Sequence, residues 1–243
     1  MSNSPLISGT LLTNNCYKPR KYKITRITPH YMAWYTDAKT CCESFVPASR
    51  RASANYCIGK DGEIWLNVDE ANGAWTSGNY DNDNRAITIE CANYNETSGD
   101  HVYGQLPTAT WKSLVRLCAD ICTRNGIAVC TYTGDLKGTL TKHKWFQNTD
   151  CPGPWLDKQF GNLATEVNKL LSPHFKEVDC MTFLFTCDGK YKGHVYFYDG
   201  GRVVMVKSTA QQTAIKNAFV KATGNVIPFF HLADGAELID CLA

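Results

Sequence analysis

His143 and Cys151 stand eight positions apart in the stretch from Lys142 to Trp155, joined by a short polar loop. An imidazole nitrogen and a thiolate sulfur are both good ligands for zinc. Pro152-Gly153-Pro154 follows at once. Proline has a locked φ and no N–H, so this run makes a rigid turn that can hold the Cys151 sulfur in one place. A catalytic zinc site takes three protein ligands and keeps a fourth position open. His30, at the exit of an N-terminal strand, is a candidate for the third. Two rival chemistries stay open on spacing alone. Cys151 could be a nucleophile with His143 as its base, or the three residues could belong to a structural zinc site with a fourth ligand.

The elements around these residues can be read from periodicity. Residues 1–20 are polar and read as a lead-in arm. Residues 23–28 alternate polar and apolar, the period of a strand, which Pro29 ends just before His30. Residues 36–54, Cys41 and Cys42 included, read as a loop. A hairpin comes next, with strands at 56–59 and 63–66 around the turn Lys60-Asp61-Gly62. Residues 78–84 form a polar loop. In a strand over 86–92, Ile87, Ile89 and Cys91 share one face, and Thr88 and Glu90 share the other. Glu90 is therefore presented on the polar side.

Trp111, Leu114, Val115, Cys118, Ile121 and Cys122 recur at helical spacing, with Gly126 as the stop. Residues 127–132 are strand-like. A second amphipathic helix over 157–171 places Phe160, Leu163, Val167, Leu170 and Leu171 on one side, and Ser172-Pro173 ends it.

Composition bounds the function. The 243 residues are 44% hydrophobic and 20% charged, the profile of an ordinary globular protein. A net charge of +2 argues against a general nucleic-acid binder. No apolar run approaches the roughly 20 residues that span a bilayer. The N-terminus lacks the pattern of an export signal, so no export by a signal peptide is expected. The twelve cysteines contain no C-x-x-C pair, and in a reducing compartment most are expected as thiols.

All six tryptophans lie before residue 156, and residues 173–243 hold seven Lys/Arg against seven Asp/Glu. That shift marks a second domain. It reads as a strand at 181–186 and a hairpin at 194–206 around Asp199-Gly200-Gly201. A helix with a Ser208/Gln211 capping box follows, and then a final strand. The helix carries Ile215, Phe219 and Ala222 on its apolar face and ends at Gly224.

Four segments in order carry a family resemblance: the strand leading to His30, residues 53–62, residues 86–90, and His143 followed by Thr149-Asp150-Cys151-Pro152-Gly153. Together they resemble the type 2 N-acetylmuramoyl-L-alanine amidases, a family that includes many phage endolysins and is similar in fold to peptidoglycan recognition proteins. The resemblance covers about residues 20–160. It implies an α/β fold, a central mixed sheet flanked by helices, over a catalytic domain at 1–172. Residues 177–243 then form a small α+β domain in the position where endolysins carry a cell-wall-binding domain. Tyr191, Tyr196, Phe197 and Tyr198 would either stack on sugars there or pack a small core.

The resemblance further implies one zinc ion per chain, held by His30, His143 and Cys151. The implied reaction is hydrolysis of the amide joining the lactyl group of N-acetylmuramic acid to L-alanine in bacterial peptidoglycan. Glu90 stands where many members carry a catalytic glutamate. Thr149 stands where a lysine or threonine assists at the reacting carbonyl. Some members carry a catalytic tyrosine where this chain has Ala54, with Tyr56 two residues on, so proton transfer falls to Glu90. Tyr31, Asn55 and Trp75 are candidate substrate-binding residues. A non-catalytic module of the same fold, binding wall fragments without cutting them, is the other reading.

Overall fold

In the computed structural model, residues 2–171, 182–199, 203–223, 226–232 and 239 are described. The chain divides into two compact units, Met1–His174 and Phe175–Ala243.

The first unit contains, in order, β1 (Gly9–Thr10), β2 (Cys16–Tyr17), β3 (Arg26–Tyr31), α1 (Ala38–Ser44), β4 (Tyr56–Ile58), β5 (Ile64–Leu66), β6 (Gly73–Ala74), α2 (Tyr80–Arg85), β7 (Ala86–Cys91), α3 (Thr108–Arg124) and α4 (Phe160–Leu171). Five strands form one sheet in the order β1-β5-β4-β7-β3. The hairpin pair β4/β5 is antiparallel, and the other three pairings are parallel. This is the mixed sheet flanked by helices that the sequence implied.

Strand alternation sorts side chains to the two faces. Ile27 of β3, Tyr56 and Ile58 of β4, and Ile87, Ile89 and Cys91 of β7 all join one core. That core also contains Leu114, Leu117, Cys118 and Ile121 of α3 and Phe160, Leu163 and Val167 of α4. Burying each such aliphatic or aromatic side chain stabilises the fold by about 1.5–3 kcal/mol. The opposite face is covered by α1, whose Ala38, Cys41 and Cys42 pack with Phe45, Ala54 and Cys57. His30 and Glu90 belong to this second face.

Several local expectations are corrected. Residues 1–20 are not a free arm: β1 pairs with β5 and β2 with β6. Two-residue strands held by backbone bonds have no side-chain period to read. Pro29 lies inside β3 rather than ending it. β3 is the edge strand, and the Ile27 N–H points outward to Thr139 O, 2.8 Å away. Pro29 has the same parity, so its missing N–H faces outward and the ladder to β7 loses nothing.

Residues 38–44 are helical because Asp37 caps them, its side chain accepting the Thr40 N–H. Residues 80–85 are helical for a similar reason, with Asn79 accepting the Asn82 N–H. Residues 127–132 form no strand. Leu140 takes the place beside Ile27 instead. The ten described cysteines are free thiols, Cys118 and Cys122 among them in the core.

The second unit contains β8 (Thr182–Cys187), β9 (Val195–Asp199), β10 (Val203–Val206), α5 (Thr209–Thr223) and β11 (Phe229–Leu232). Its sheet runs β10-β9-β8-β11, with β11 parallel to β8. Gln211 N–H donates to Ser208 Oγ at 3.1 Å, which is half of the capping box; Gln211 Oε1 accepts the Lys207 N–H at 2.7 Å rather than that of Ser208. Tyr196 is only 5% exposed and packs with Phe183, Phe185 and Val203, with Tyr191 and Tyr198 against them. Those rings build a core rather than a sugar-stacking surface. The expected stops at Ser172-Pro173 and Gly224 and the turn at Gly200-Gly201 lie outside the described residues, as does His174.

Candidate metal centre and groove

One row of residues crosses the α1 face of the sheet. His30 stands opposite Glu90 in the β3/β7 ladder, and Glu90 stands opposite Cys57 in the β4/β7 ladder. The site is built on this row by two segments that arrive from the C-terminal side.

The first segment delivers His143. Ile27 N–H donates to Thr139 O at 2.8 Å, and Thr141 N–H donates to Ile27 O at 3.0 Å, which lays residues 139–141 along the edge of β3. The Thr28 and Thr141 hydroxyls meet at 2.8 Å. Lys142, buried, is held by the Asp157 carboxylate at 2.8 Å and lies over the rings of Tyr132 and Phe160. His143 begins the 3-10 turn that follows, with its ring centroid 4.8 Å from that of His30. Gln147 Oε1 lies 3.2 Å from His143 Nε2 and orients the ring.

The second segment delivers Cys151. Gly153 N–H donates to Asp150 O at 2.7 Å and closes the turn. Gly153 has φ +84°, and a Cβ there would come within 2.5 Å of the Tyr31 ring. Only glycine lets this turn lie on Tyr31. Cys151 N–H donates to Thr149 Oγ at 3.2 Å, which leaves the Thr149 hydroxyl proton free to donate elsewhere. Cys151 Sγ lies 3.2 Å from His30 Nδ1.

The ligand atoms of His30, His143 and Cys151 all fall within 4.8 Å of one another. Zn–N of about 2.0 Å and Zn–S of about 2.3 Å place two tetrahedral ligands roughly 3.3–3.6 Å apart, so the cluster has the right scale for one ion. His30 is buried, and its Nε2 has no hydrogen-bond partner. Burial, with His143 beside it, holds the His30 ring well below the usual histidine range and therefore neutral, the form that ligates. These observations fit a zinc ion. Among the described residues no fourth His, Cys, Asp or Glu joins the group, which leaves one position open.

Glu90 faces the same cavity of about 440 Å³, which is lined also by His30, His143, Cys151, Thr149, Tyr31, Trp75 and Arg50. Its Oε2 is buried without a hydrogen-bond partner. Burial pushes its carboxyl up to about 8, with Arg50 pulling the other way. Burial and then the Glu90 charge push the Cys151 thiol up.

Of the residues singled out in the sequence, the fold therefore brings seven to one cavity. Asn55 is the exception. Its carboxamide is fully buried, donating to Val68 O at 3.1 Å and accepting from Thr88 N–H at 3.2 Å, so it ties β4 to its neighbours and faces no ligand. Tyr56 is buried too, donating to Glu70 Oε1 at 2.6 Å, consistent with giving proton transfer to Glu90. The sequence reading missed Arg50 and Gln147. Gln147 lies four residues from His143, a spacing that could have flagged it; Arg50 ends a single 3-10 turn, Ala48–Arg50, too short to show a period, and carries no such signal.

Residues 20–154 match the N-acetylmuramoyl-L-alanine amidase family. The chain belongs to that family, in its type 2 branch. No curated protein matches it in sequence. Among solved structures it is similar to PlyL, at 15% identity and TM-score 0.50, covering 65% of this chain and 94% of that one. A mutant form of PlyL aligns at 15% identity and TM-score 0.51, covering 66% and 97%. The Ph2119 endolysin from the Thermus scotoductus MAT2119 bacteriophage Ph2119 aligns at 18% identity and TM-score 0.44, covering 63% and 90%. At these identities the likeness to PlyL is one of fold.

Proposed function

We propose that this chain is a zinc-dependent endolysin that hydrolyses the amide between the lactyl group of N-acetylmuramic acid and L-alanine in bacterial peptidoglycan. The observation that carries the reading is the convergence of His30, His143 and Cys151 on one cavity that also holds a desolvated glutamate. His30, His143 and Cys151 would hold one zinc ion, which when bound supplies Lewis acidity toward a carbonyl and acidifies water. The His₂Cys set would be a weaker Lewis acid than three histidines, because the thiolate cancels one charge. Help from neighbouring residues then matters more.

Glu90 takes the proton of the attacking water and returns it to the departing L-alanyl amine. A carboxyl raised toward neutrality is suited to both transfers. Thr149 donates its free hydroxyl proton to the carbonyl oxygen as negative charge develops there. Tyr31 and Trp75 line the cavity and bound the substrate.

The cysteine-nucleophile reading needs a thiolate beside an imidazolium. Burial opposes both charges here, raising the Cys151 thiol and lowering His30 and His143. A structural zinc site needs a fourth ligand, which the described residues do not offer. A recognition module has no use for a desolvated glutamate beside a metal cluster.

No described helix is long and apolar enough to cross a membrane. For the second unit we propose cell-wall binding, on domain order alone; if removing residues 177–243 leaves co-sedimentation with intact walls unchanged, that part fails. Cys151→Ser tests the main reading. It should lose bound zinc and the release of new L-alanine amino termini from purified walls. Full activity in that variant would refute the proposal.

A further inference from the structure

The two histidines of the metal cluster share a feature that ligation itself does not require. Each stands two positions after a threonine, Thr28 before His30 and Thr141 before His143. Both threonines are fully buried. β3 is extended, and so is the backbone at Lys142, with φ −114° and ψ 139°. Residues two apart in extended backbone share a face, roughly 6.6 Å apart along it.

The two segments also run side by side in register. Ile27 bridges Leu140 in parallel, which sets Thr28 against Thr141 and, two residues on, His30 against His143. The histidine ring centroids are 4.8 Å apart, the spacing of neighbouring strands. Backbone alone ties this register loosely. Ile27 N–H donates to Thr139 O and Thr141 N–H donates to Ile27 O, and among the described residues no backbone hydrogen bond joins the segments beyond Thr141. The chain then leaves into the 3-10 turn that begins at His143 itself. A slip of one residue would carry the His143 ring to the other face.

Side chains supply the missing tie. The Thr28 and Thr141 hydroxyls meet at 2.8 Å. Asn82 of α2 closes the pair into a ring. Its Nδ2–H donates to Thr28 Oγ at 3.1 Å, and more weakly its Oδ1 accepts from Thr141 Oγ–H at 3.4 Å. The proton directions follow from the neighbours. Asp83 takes the Ser77 hydroxyl proton at 2.7 Å, so Ser77 Oγ can only accept from Asn82 Nδ2, 3.2 Å away. That fixes which way round the Asn82 carboxamide lies. Thr28 then receives a proton from Asn82 and donates to Thr141, and Thr141 donates back to Asn82. Asn82, Ser77 and Asp83 are fully buried as well, and away from solvent each bond of such a circuit strengthens the next. Another fully buried threonine, Thr110, spends its hydroxyl on a backbone carbonyl, Gly59 O at 2.8 Å. Thr28 and Thr141 instead bond each other, across the two segments that carry the histidines.

We propose that the Thr28–Thr141 rung, closed by Asn82, is a positioning element that holds His143 beside His30 at the separation one zinc ion needs. This rests on the zinc reading of the cluster. None of the three residues touches the metal or the substrate; they act through the two histidines.

The test measures zinc affinity of the full chain by competition with a chromophoric chelator, for the wild type, Thr28→Val, Thr141→Val and the double variant. Valine keeps the shape of threonine and deletes the hydroxyl. Loss of outer-shell support for a ligand histidine costs about 10–100-fold in metal affinity, and each single variant should show a loss of that size. Because the two hydroxyls form one rung, the double variant should lose little more than either single. Thr141→Ser keeps the hydroxyl and should restore the wild-type affinity. Thr110→Val removes a hydroxyl bond that is equally buried but lies on α3, and it should leave zinc affinity unchanged, which separates positioning from stability. Tryptophan fluorescence of the metal-free proteins checks folding, and where one threonine variant does not fold the other decides. Wild-type affinity in the valine variants, an equal loss in Thr110→Val, or losses that add fully in the double variant would overturn the assignment. A wild type that binds no zinc would remove the zinc reading and the rung's role together. Losses as expected in a chain that releases nothing from purified walls would keep the rung and refute the amidase reading alone.

Discussion

Replacing Glu90 with glutamine should slow turnover sharply and make the protein more stable. Glu90 is desolvated, and its buried Oε2 has no partner. Burial raises its carboxyl from the ordinary 4.5 to about 8. In the unfolded chain at pH 7 the group is ionised, so folding must take up a proton. Each pH unit between 4.5 and 7 weighs about 1.4 kcal/mol against the native state. The sum is about 3 kcal/mol. A neutral amide of the same shape escapes that cost but keeps an unpaired donor, so the net gain is about 2–3 kcal/mol. For a domain of this size that corresponds to roughly 5–10 °C in Tm.

The sign gives a pH signature. Because the folded value is raised, wild-type stability is complete below pH 4.5 and is lost as pH rises toward 8. The gap between variant and wild type should therefore be absent at pH 4 and open by pH 7. Tryptophan fluorescence is the right probe, since all six tryptophans precede residue 156 and report the first unit alone. The melts belong in chelator, so that no cation biases Glu90. Wall hydrolysis by the same variant should fall by about 10²–10⁴-fold with zinc restored. A variant that melts at or below the wild-type temperature at pH 7, or a gap that persists at pH 4, would refute the desolvation argument.

Two further substitutions probe the supports of the site. Gly153→Ala places a methyl within 2.5 Å of the Tyr31 ring at φ +84° and should cost about 2–4 kcal/mol, read by urea unfolding, while lowering zinc affinity by displacing Cys151. Asp37→Ala removes the cap of α1 and should cost about 1 kcal/mol at pH 7. The Thr40 N–H holds the Asp37 carboxyl below its usual range, so its contribution is present above the unfolded value and is lost as pH falls through the lowered folded value; the gap between the two proteins should shrink as the same assay is taken to acid pH.

Much of the site was legible because its residues are marked by type or by period. His143, Cys151 and the Pro-Gly-Pro turn announce a held ligand. The alternation of Ile87, Ile89 and Cys91 puts Glu90 on the face opposite the core, where the fold has it. What escaped has no period. α1 and α2 are too short for amphipathic spacing, and only their caps, Asp37 and Asn79, give them away. Pro29 reads as a strand end unless the strand is known to be an edge, which is a tertiary fact. Asn55 was a candidate for substrate binding, but its side chain is fully buried and spent on Val68 O and the Thr88 N–H, a burial that no local pattern announces. Arg50 was invisible because a cation on a single short turn acquires meaning only from the cavity it lines.

The central claim is that His30, His143 and Cys151 hold a zinc ion on which peptidoglycan hydrolysis depends. The most direct test measures metal content and release of soluble peptide from purified cell walls on the same preparation, before and after chelation and after zinc is returned. The account predicts one zinc per chain, with activity lost on chelation and restored by zinc. Activity that survives complete removal of the metal would contradict it.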